Sequence, residues 1–363
     1  VQTCALPILI SHIDIGGAER VAINIAKSKN PKFEYHLIEI VRSDSYFTTQ
    51  LVEELKRANI YVHRSPYKNN KLGILFFGLW FIKIYIKYEP SVIHIHTEMP
   101  DFSIWIFRKL AWIFLWIKPK YVRTIHSTQL WNSWKSLGCI IEPFYIKHHC
   151  NVAISSSTQD CYEKAYRVSD LPIIYNGLEE VVQKPFNGIV KDKKNVLFAG
   201  RFCEEKGIDI LLAVLKKMAN SDKYHFHIIG AGPCVNDIKA AVVWNNNISV
   251  YDKIYGLSQY LESFDYLFMP SRFEGLPLLA IEASLAHTPT IINRCPGLKD
   301  TLPGDWPLAV NDNSVDAFVD IFCNKLDTLD YEKLANVAYL YAKKNFSIAK
   351  MQREYEKVYE SKI

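Results

Sequence analysis

The chain has 363 residues, of which 49% are hydrophobic and 22% are charged. This balance is typical of a globular protein with about two domains, and it excludes a disordered, collagen-like or coiled-coil chain. The net charge of +5 is unevenly distributed, because residues 1–183 carry 21 Lys+Arg against 16 Asp+Glu, whereas residues 184–363 carry 22 of each. The excess positive charge therefore lies entirely in the first half and needs a functional explanation.

The cysteines and the start of the chain bear on where the protein works. Eight cysteines are scattered along the sequence, and no two have the two-residue spacing of a zinc site or a redox pair. No charged-then-apolar signal peptide opens the sequence. Together these features predict buried free thiols in a reducing cytoplasm.

Two aromatic-rich apolar stretches, at residues 72–88 and 102–118, invite comparison with membrane spans. Lys83 interrupts the first stretch, and Arg108 and Lys109 interrupt the second. Neither stretch therefore provides the ~20 uninterrupted apolar residues that cross a bilayer. We expect neither to form a transmembrane helix.

Short β-type runs alternate with helical patterns along the first half of the chain. The predicted strands are 8–13, 33–41, 60–63, 91–96, 121–126, 151–157 and 172–177. The predicted helices are 18–28, 45–59, 72–88, 102–117, 136–149 and 158–166. The first seven residues are left outside the first strand, and no chemistry is assigned to them.

A polar stretch at 179–195 interrupts this pattern and contains both Pro and Gly, which makes it the best linker candidate. Beyond it the predicted strands are 196–200, 224–230, 248–251, 266–270 and 288–294. The predicted helices are 207–219, 234–243, 257–263 and 277–286. The alternation predicts an α/β fold with two doubly wound parallel sheets, whose ligands would bind in a cleft at the carboxyl ends of the strands.

The glycine-rich turns give two different signals. Gly230 and Gly232 follow a predicted strand, but Val235 stands at the third glycine position, so the dinucleotide-binding fingerprint fails. Gly16 and Gly17 stand between a strand and a helix. They could bring a phosphate or sugar to backbone N–H groups at the helix N-terminus, or they could simply form a tight turn.

The segment FAGRFCEEKGID (198–209) places two cations in a loop between a strand and a helix. Arg201 and Lys206 could both reach one anionic group beside helix-terminal N–H donors. The alternative is a pair of solvated charges balanced by Glu204 and Glu205.

The segment PSRFEGLPLLAIEA (270–283) places Glu274 and Glu282 on either side of a helix start opened by Gly275 and Pro277. Helical geometry separates the two carboxylates by roughly 12 Å. That is too far for a glycosidase pair at about 5–10 Å, but it suits two anchors on an extended ligand. Glu282 lies among apolar residues, where a carboxylate is costly without a partner.

The histidines leave more than one interpretation open. His126 ends a predicted strand, where α/β enzymes place working groups, although a lone histidine at a strand end is more often structural than catalytic. His94 and His96 alternate within one strand and are expected on opposite faces, so that at most one faces a cleft. The spacing of His, Asp and Glu predicts no metal site.

The chain resembles glycosyltransferase family 4, whose members are retaining enzymes of the GT-B fold. The resemblance rests on segments in this order: GGAER, IHIH, RTIHS, YNG, LFAGRFCEEKGIDILL, IIGAGP and PSRFEGLPLLAIEA. It spans nearly the whole chain and implies two Rossmann-like domains facing a central cleft. The implied bounds are an acceptor-side domain at 1–183, a linker at 184–195, a nucleotide-sugar domain at 196–344, and a terminal helix at 345–363 that crosses back to the first domain.

The resemblance also implies residue roles. Arg201 and Lys206 would hold the donor diphosphate and stabilise the leaving nucleoside diphosphate without a metal or other cofactor, and Glu282 would bind the donor ribose. Seven further residues would face the sugars: Glu274, Gly275, Leu276 and His126 at the transferred sugar, Gly16 and Gly17 beside the donor phosphate and acceptor, and His96 near the acceptor.

Three positions depart from the family pattern. His287 stands where the family usually has Gly, and Asp300 stands where it usually has Glu. A Gly that usually follows the strand at 248–251 is missing. The first departure is expected to alter packing, and the other two bear on recognition of the base and ribose. None removes the two cations or the two carboxylates, so we expect an active enzyme.

The implied function is transfer of a hexose or N-acetylhexosamine from a UDP- or GDP-sugar to a lipid-linked saccharide in cell-surface polysaccharide assembly. The expected partners are the donor, the acceptor and an anionic membrane at the inner face of the cell, with no nucleic acid. Aromatic and basic residues at 72–117 suit such a lipid surface, the alternative being core helices with a basic rim. The rival functions are a non-catalytic GT-B scaffold and a nucleotide-sugar epimerase.

Overall fold

The computed structural model describes residues 3–111, 119–132 and 134–361. The chain divides into two units, one made of Val1–Gly177 with Ile348–Ile363 and the other of Leu178–Ser347. The end of the predicted helix at 102–117 and of the apolar stretch at 102–118 lies outside the described residues, as do the first two residues.

The first unit is built on a parallel sheet with helices along it. Its strands are β1 (Cys4–Ile10), β2 (Phe33–Glu39), β3 (Tyr61–His63), β4 (Val92–His96), β5 (Lys120–Ile125) and β6 (Asn151–Ala153). Its helices are α1 (Gly17–Ala26), α2 (Tyr46–Arg57), α3 (Asn70–Tyr88), α4 (Glu98–Ala111), α5 (Lys135–Lys147), α6 (Ser156–Tyr166) and, from the end of the chain, α12 (Ile348–Glu360). The strand order is β3-β2-β1-β4-β5-β6.

The second unit repeats this plan. Its strands are β7 (Lys194–Arg201), β8 (Tyr224–Ala231), β9 (Ile248–Tyr251), β10 (Tyr266–Met269), β11 (Thr290–Asn293) and β12 (Ala309–Val310). Its α-helices are α7 (Ile208–Lys217), α8 (Val235–Trp244), α9 (Leu278–Leu285), α10 (Val315–Asp320) and α11 (Tyr331–Asn345). The strand order is β12-β11-β10-β7-β8-β9, which is the same doubly wound order as in the first unit. The order in which the strands are connected therefore reverses between β7 and β10.

Aromatic residues of α3 and α4 form much of the core on one face of the first sheet. The Phe77 and Phe81 rings stack with centroids 5.1 Å apart, and Phe107 meets Phe81 edge-on at 5.1 Å. All three side chains are buried. This part of the aromatic-rich sequence therefore serves packing, as the core-helix alternative predicts.

The first predicted strand and the strand predicted at 151–157 are wrong in their bounds. The first strand begins at Cys4, because Cys4–Ile10 pairs in register with Phe33–Glu39. The strand predicted at 151–157 ends at Ala153, because the Ser155 hydroxyl accepts the Thr158 N–H and caps α6.

The segment predicted as a strand at 172–177 forms only an isolated bridge between Ala153 and Ile173. Gly177 directs its backbone elsewhere, since its carbonyl accepts from the Asn24 amide and its N–H donates to the Met351 sulfur. The backbone groups of Gly177 therefore bond to side chains of α1 and α12 rather than to a neighbouring strand.

The last helix packs on the first unit through buried aromatic residues. The Tyr359 hydroxyl lies 2.7 Å from His94 Nδ1, and the Tyr355 hydroxyl lies 2.8 Å from Thr124 Oγ1. Residues 184–195, predicted as a linker, lie with the second unit, where the ring of Phe186 packs against Phe264. None of the helices within the described ranges combines the length and apolarity needed to cross a membrane.

Candidate functional site

In the second unit, the loops after β7 and β10 bring two distant charged residues together. Lys206 Nζ lies 2.6 Å and 2.8 Å from the two carboxylate oxygens of Glu274, although 68 residues separate them in sequence. Ser271 Oγ donates a third hydrogen bond to this carboxylate at 2.8 Å. Ligands of doubly wound sheets bind at the carboxyl ends of the two strands between which the strand order reverses. In this sheet those strands are β7 and β10, so the Lys206–Glu274 pair lies at the expected position.

The two predicted cations differ in their surroundings. Arg201 pairs with Glu205 at 3.1 Å, and its side chain is 65% exposed. Lys206 is only 24% exposed and pairs with Glu274, which is 9% exposed. The alternative of solvated charges balanced by neighbouring glutamates therefore describes Arg201 but not Lys206.

Two glycines allow the loops to approach closely. Gly207 has φ +69°, and a Cβ there would come within 2.0 Å of the Pro270 carbonyl oxygen. Gly297 has φ +80°, and a Cβ there would come within 2.2 Å of the Glu274 carbonyl oxygen. Only glycine adopts these conformations in so little space, so both positions fix the loop that carries Glu274.

The remaining predicted donor residues follow this loop. Gly275 is half-buried and Leu276 is buried, and Pro277 precedes the first residue of α9. Glu282 lies in the middle of α9 and is half-buried. Gly275 and Leu276 therefore lie on the loop after β10, and Glu282 lies on α9.

Arg272 is a residue of this region that the sequence interpretation missed. It forms two hydrogen bonds to the Asp209 carboxylate, at 2.7 Å and 2.6 Å, and a third at 2.8 Å to the carbonyl of Glu204. The bidentate bond lowers the pKa of Asp209. Arg272 therefore ties the loop after β10 to the Lys206 loop and the start of α7.

In the first unit, Gly16 and Gly17 lie at the N-terminus of α1, as their position between strand and helix predicts. A Cβ on Gly16 would come within 2.0 Å of Glu19 Oε2, so the glutamate carboxyl folds back over the turn. Burial raises the pKa of Glu19 to about 7. An anionic ligand at the N-terminus of α1 would therefore contact the Glu19 carboxyl.

His96 and His126 form a pair at the carboxyl ends of β4 and β5. His96 Nδ1 lies 2.7 Å from His126 Nε2, and His96 is fully buried whereas His126 is half-buried. The expectation that His94 and His96 lie on opposite faces is wrong, since their ring centroids are 4.2 Å apart. Residues two apart in a strand share a face, because side chains alternate with a period of two.

Burial keeps both rings of this pair neutral. It lowers the pKa of His126 to about 3 and that of His96 well below its usual range. Within the described part of the chain, His96 Nε2 is buried and has no hydrogen-bond partner. The favoured arrangement therefore has the His96 Nδ1–H donating to His126 Nε2, because it leaves no unpaired N–H on His96. His126 then carries its own proton on Nδ1.

The described residues contain no group of three or more His, Cys, Asp or Glu side chains arranged to hold a metal ion. The charged groups at the site of the second unit include the Lys206–Glu274 pair, with Arg201 nearby in sequence.

Two six-stranded parallel sheets with one shared strand order define the class as an α/β protein with two Rossmann-like units. The fold is GT-B, since the Anabaena protein Alr3699/HepE, solved in complex with UDP and glucose, matches with a TM-score of 0.81 at 16% identity over 99% of this chain and 100% of that chain.

The sequence comparisons define the family. Residues 15–180 match the model described as Glycosyltransferase Family 4, and residues 193–327 match the model described as Glycosyl transferases group 1. The chain belongs to the family 4 glycosyltransferases.

Two relatives match most of the chain. An uncharacterized 41.2 kDa protein in the cps region of Klebsiella pneumoniae is 29% identical over 307 residues, which cover 76% of this chain and 80% of that protein. The capsular polysaccharide biosynthesis glycosyltransferase CapH of Staphylococcus aureus is 25% identical over 301 residues, covering 76% and 77%.

Proposed function

We propose that this protein transfers a hexose or N-acetylhexosamine, with retention, from a UDP- or GDP-sugar to a saccharide acceptor in cell-surface polysaccharide assembly. The observation that carries the proposal is the Lys206–Glu274 pair in the loops that follow β7 and β10, the two strands between which the strand order reverses. The capsular enzyme of S. aureus and the UDP- and glucose-bound Anabaena protein support the acceptor and donor classes. In this proposal the second unit binds the donor and the first unit binds the acceptor.

The cations stabilise the leaving group. As the bond between the sugar and the diphosphate breaks, negative charge develops on the diphosphate and positive charge on the sugar. Lys206 and Arg201 supply fixed positive charge to the diphosphate oxygens, so no metal is required in this scheme. Lys206 exchanges part of its pairing with Glu274 for the diphosphate, which leaves the Glu274 carboxylate available to a sugar hydroxyl.

The other proposed contacts orient the donor. Glu282 accepts hydrogen bonds from the ribose hydroxyls, and the backbone at Gly275 and Leu276 contacts the transferred sugar. His126, neutral and protonated on Nδ1, donates to a hydroxyl or ring substituent of that sugar. The departing phosphate accepts the acceptor proton, so that none of these residues acts as a strong base.

Ligand-induced stabilisation tests the donor assignment. We expect UDP-sugars or GDP-sugars to raise the melting temperature in a thermal-shift assay, because a ligand bound only by the folded state stabilises it by mass action. ADP-sugars are the comparison ligands. A flat response to both UDP- and GDP-sugars, at concentrations up to several millimolar, would contradict the proposed function.

A second part of the proposal is peripheral membrane contact through one face of α3, with the protein in the cytoplasm and a lipid-linked acceptor. This face exposes a set of large apolar side chains, namely Leu72, Leu75, Phe76, Leu79 and Ile86. Three exposed lysines accompany them, Lys71, Lys83 and Lys87, and residues 70–88 contain no acidic residue. Apolar side chains flanked by lysines suit insertion into an anionic lipid surface.

The position of α3 connects this face to the acceptor side. Gly73 packs so closely on Ile40 and Val41 that an added Cβ would come within 2.5 Å of the valine side chain. The helix therefore begins beside the carboxyl end of β2, at the same edge of the sheet as Gly16 and His126. In this proposal the positive charge of the first half faces the lipid rather than the donor.

We expect the protein to co-float with vesicles that contain anionic lipid at low salt and to be released at high salt, because surface charges are screened within about 10 Å at 0.1 M. The double variant Leu75→Glu/Leu79→Glu should bind at least tenfold less. Leu340→Glu, which changes an exposed leucine of α11, is the matched control. Absence of native binding to anionic vesicles at low salt would rule out this surface.

A further inference from the structure

The second unit contains a cavity whose described lining includes none of the proposed donor contacts. It has a volume of about 470 Å³ and lies at the carboxyl ends of β10, β11 and β12, beside the first turn of α7. This volume falls within the range of small-ligand sites, about 300–1,000 Å³. Its polar lining residues include Arg272, Asn293, Arg294, Asn311, Asp312 and Asn313.

Arg294 brings a positive charge to this cavity. Its side chain is fixed by backbone groups, since the guanidinium donates to the carbonyls of Gly304 and Trp306. Within the described residues it forms no ion pair with a carboxylate. A guanidinium has five N–H donors, so three remain for a ligand. A fixed cation without a counter-charge favours a ligand that carries an anionic group.

Arg272 brings a second guanidinium to the same cavity. Its bonds to Asp209 and to the Glu204 carbonyl hold it in place and use three of its five N–H donors. The other two remain for a ligand. Two guanidinium groups held in fixed positions on one cavity suit a phosphate group, whose several oxygens accept hydrogen bonds from more than one donor.

Asn313 adds an acceptor rather than a donor. Its side-chain amide donates to the Pro270 carbonyl at 3.0 Å, and its backbone N–H donates to Oδ1 of the buried Asn293 at 3.1 Å. Within the described residues, the remaining side-chain atom, Asn313 Oδ1, is buried without a hydrogen-bond partner. An unsatisfied acceptor is costly, and its presence in a cavity wall favours a ligand with hydroxyl donors.

The rim of the cavity adds further acceptors. Asn311 and Asp312 line it and are exposed, and Asp312 Oδ1 accepts the Ser314 N–H at 3.2 Å. A carboxylate repels a bare phosphate ion, whereas it accepts hydrogen bonds from hydroxyl groups. The described lining contains no aromatic ring that could stack on a nucleotide base. These groups together suit a phosphate joined to a hydroxylated ring.

Two lining residues also hold the backbone beside the Lys206–Glu274 pair. The Arg272 N–H donates to the Glu205 carbonyl at 2.8 Å, and the Pro296 carbonyl accepts the Glu274 N–H at 3.0 Å. A ligand that contacts both walls of the cavity would therefore stabilise the two loops in the arrangement that brings this pair together. Occupancy of the cavity is thus connected to the site of the second unit through two backbone hydrogen bonds.

We propose that this cavity binds a sugar phosphate, which acts as an effector of the donor site. The two guanidinium groups bind the phosphate, and the asparagine and aspartate oxygens accept hydrogen bonds from ring hydroxyls. The effector role rests on the proposed function, which assigns the donor to Lys206 and Glu274, whereas binding in the cavity does not depend on it. Because both ligands favour the same loop arrangement, each tightens the binding of the other.

Isothermal titration calorimetry on the full chain tests this assignment. The probes are glucose 1-phosphate, glucose 6-phosphate, mannose 6-phosphate and N-acetylglucosamine 1-phosphate, with inorganic phosphate and methyl glucoside as comparisons. At least one sugar phosphate should bind saturably, and about tenfold or more tightly than either comparison ligand, because each of these lacks half of the expected contacts. At saturation it should tighten the binding of UDP or GDP by about fivefold or more, a usual size of coupling between two sites.

Two variants test the residues. Arg294→Gln removes the charge but keeps an amide donor for the backbone carbonyls, and it should weaken binding of the sugar phosphate by about tenfold or more. Asn311→Asp adds a negative charge at the exposed rim, where no buried contact is lost, and it should weaken binding in the same direction. Asn220→Asp is the matched control, since it makes the same change at another exposed asparagine of this unit, beyond the far end of α7, and it should leave binding unchanged.

Several outcomes would overturn the site: saturable binding of none of the sugar phosphates, equal affinity for inorganic phosphate, or equal binding by native protein and Arg294→Gln. Displacement of the sugar phosphate by UDP or GDP would place it in the donor site and would also overturn the proposal. Sugar phosphate binding that leaves the affinity for UDP and GDP unchanged would overturn the effector role. Failure of the native protein to bind any UDP- or GDP-sugar would instead refute the proposed function, because sugar phosphate binding is measured without nucleotide as well.

Discussion

Replacing Lys206 with alanine is expected to lower kcat/KM for sugar transfer by about 10²–10³-fold, the usual scale for losing one preorganised charge-stabilising group. Lys206 is the less exposed of the two cations and is held at 2.6 Å and 2.8 Å from the Glu274 carboxylate. Its position is therefore held before the donor arrives, and in the proposed scheme only part of its pairing with Glu274 is exchanged for the diphosphate. Arg201, at 65% exposure, is expected to contribute less.

The matched control is Lys217→Ala in α7, which removes another lysine from an ion pair with an aspartate, Asp316, in the same unit. It should retain native activity. Circular dichroism and the melting temperature establish that each variant is folded, which matters because Lys206→Ala leaves Glu274 partly buried without its cation. Glu282→Ala should also abolish transfer, because it removes the carboxylate that is proposed to bind the donor ribose. Native activity in both Lys206→Ala and Glu282→Ala would refute the proposed donor site.

Replacing Arg123 with methionine is expected to lower the free energy of unfolding of the first unit by about 3–5 kcal/mol, the typical cost of removing one partner from a buried ion pair. Arg123 is 1% exposed and contacts both Asp101 and Glu142, which are equally buried. Methionine fills similar space but leaves two carboxylates in the core without a cation. The same guanidinium also bonds Asn151 at 3.2 Å.

Urea denaturation monitored by tryptophan fluorescence measures this change. Arg42→Met, at an exposed ion pair with Asp44, is the control and should fall within about 0.5 kcal/mol of native, as surface substitutions usually do. The triple variant Arg123→Met/Asp101→Leu/Glu142→Leu should recover part of the loss, because no isolated charge remains buried. A change below 1 kcal/mol in the single variant would show that these carboxylates do not depend on Arg123.

His287 illustrates how a family departure is accommodated. It has φ +55° directly after Ala286, the C-cap of α9, a left-handed position that glycine occupies without strain. Its ring stacks on Tyr339 with centroids 4.3 Å apart and an interplanar angle of 19°. The expected alteration of packing therefore takes the form of an aromatic contact with α11.

The alternation of strands and helices could be predicted because its signals are local. Apolar periodicity identifies strands and helices, and glycine and proline mark their ends, so the segments carrying Lys206, Glu274 and Glu282 were recognisable. Two of the errors had different causes. The apolar run at 172–177 bonds α1 and α12, which are distant in the chain, and meets the sheet only through the Ala153–Ile173 bridge. The serine run after β6 caps the helix that follows it.

The sequence by itself determined the family, the two doubly wound sheets, and which loops carry the cations and carboxylates. Only the tertiary structure decided that Lys206 pairs with Glu274 rather than with its neighbours in sequence. It also decided that His96 lies within hydrogen-bond distance of His126, and that Arg123 pairs with both Asp101 and Glu142. The physical reason is that these pairs lie on strands and loops far apart in the chain. The sheet order makes β7 a neighbour of β10 and β1 a neighbour of β4, and no local periodicity encodes which side chains then meet.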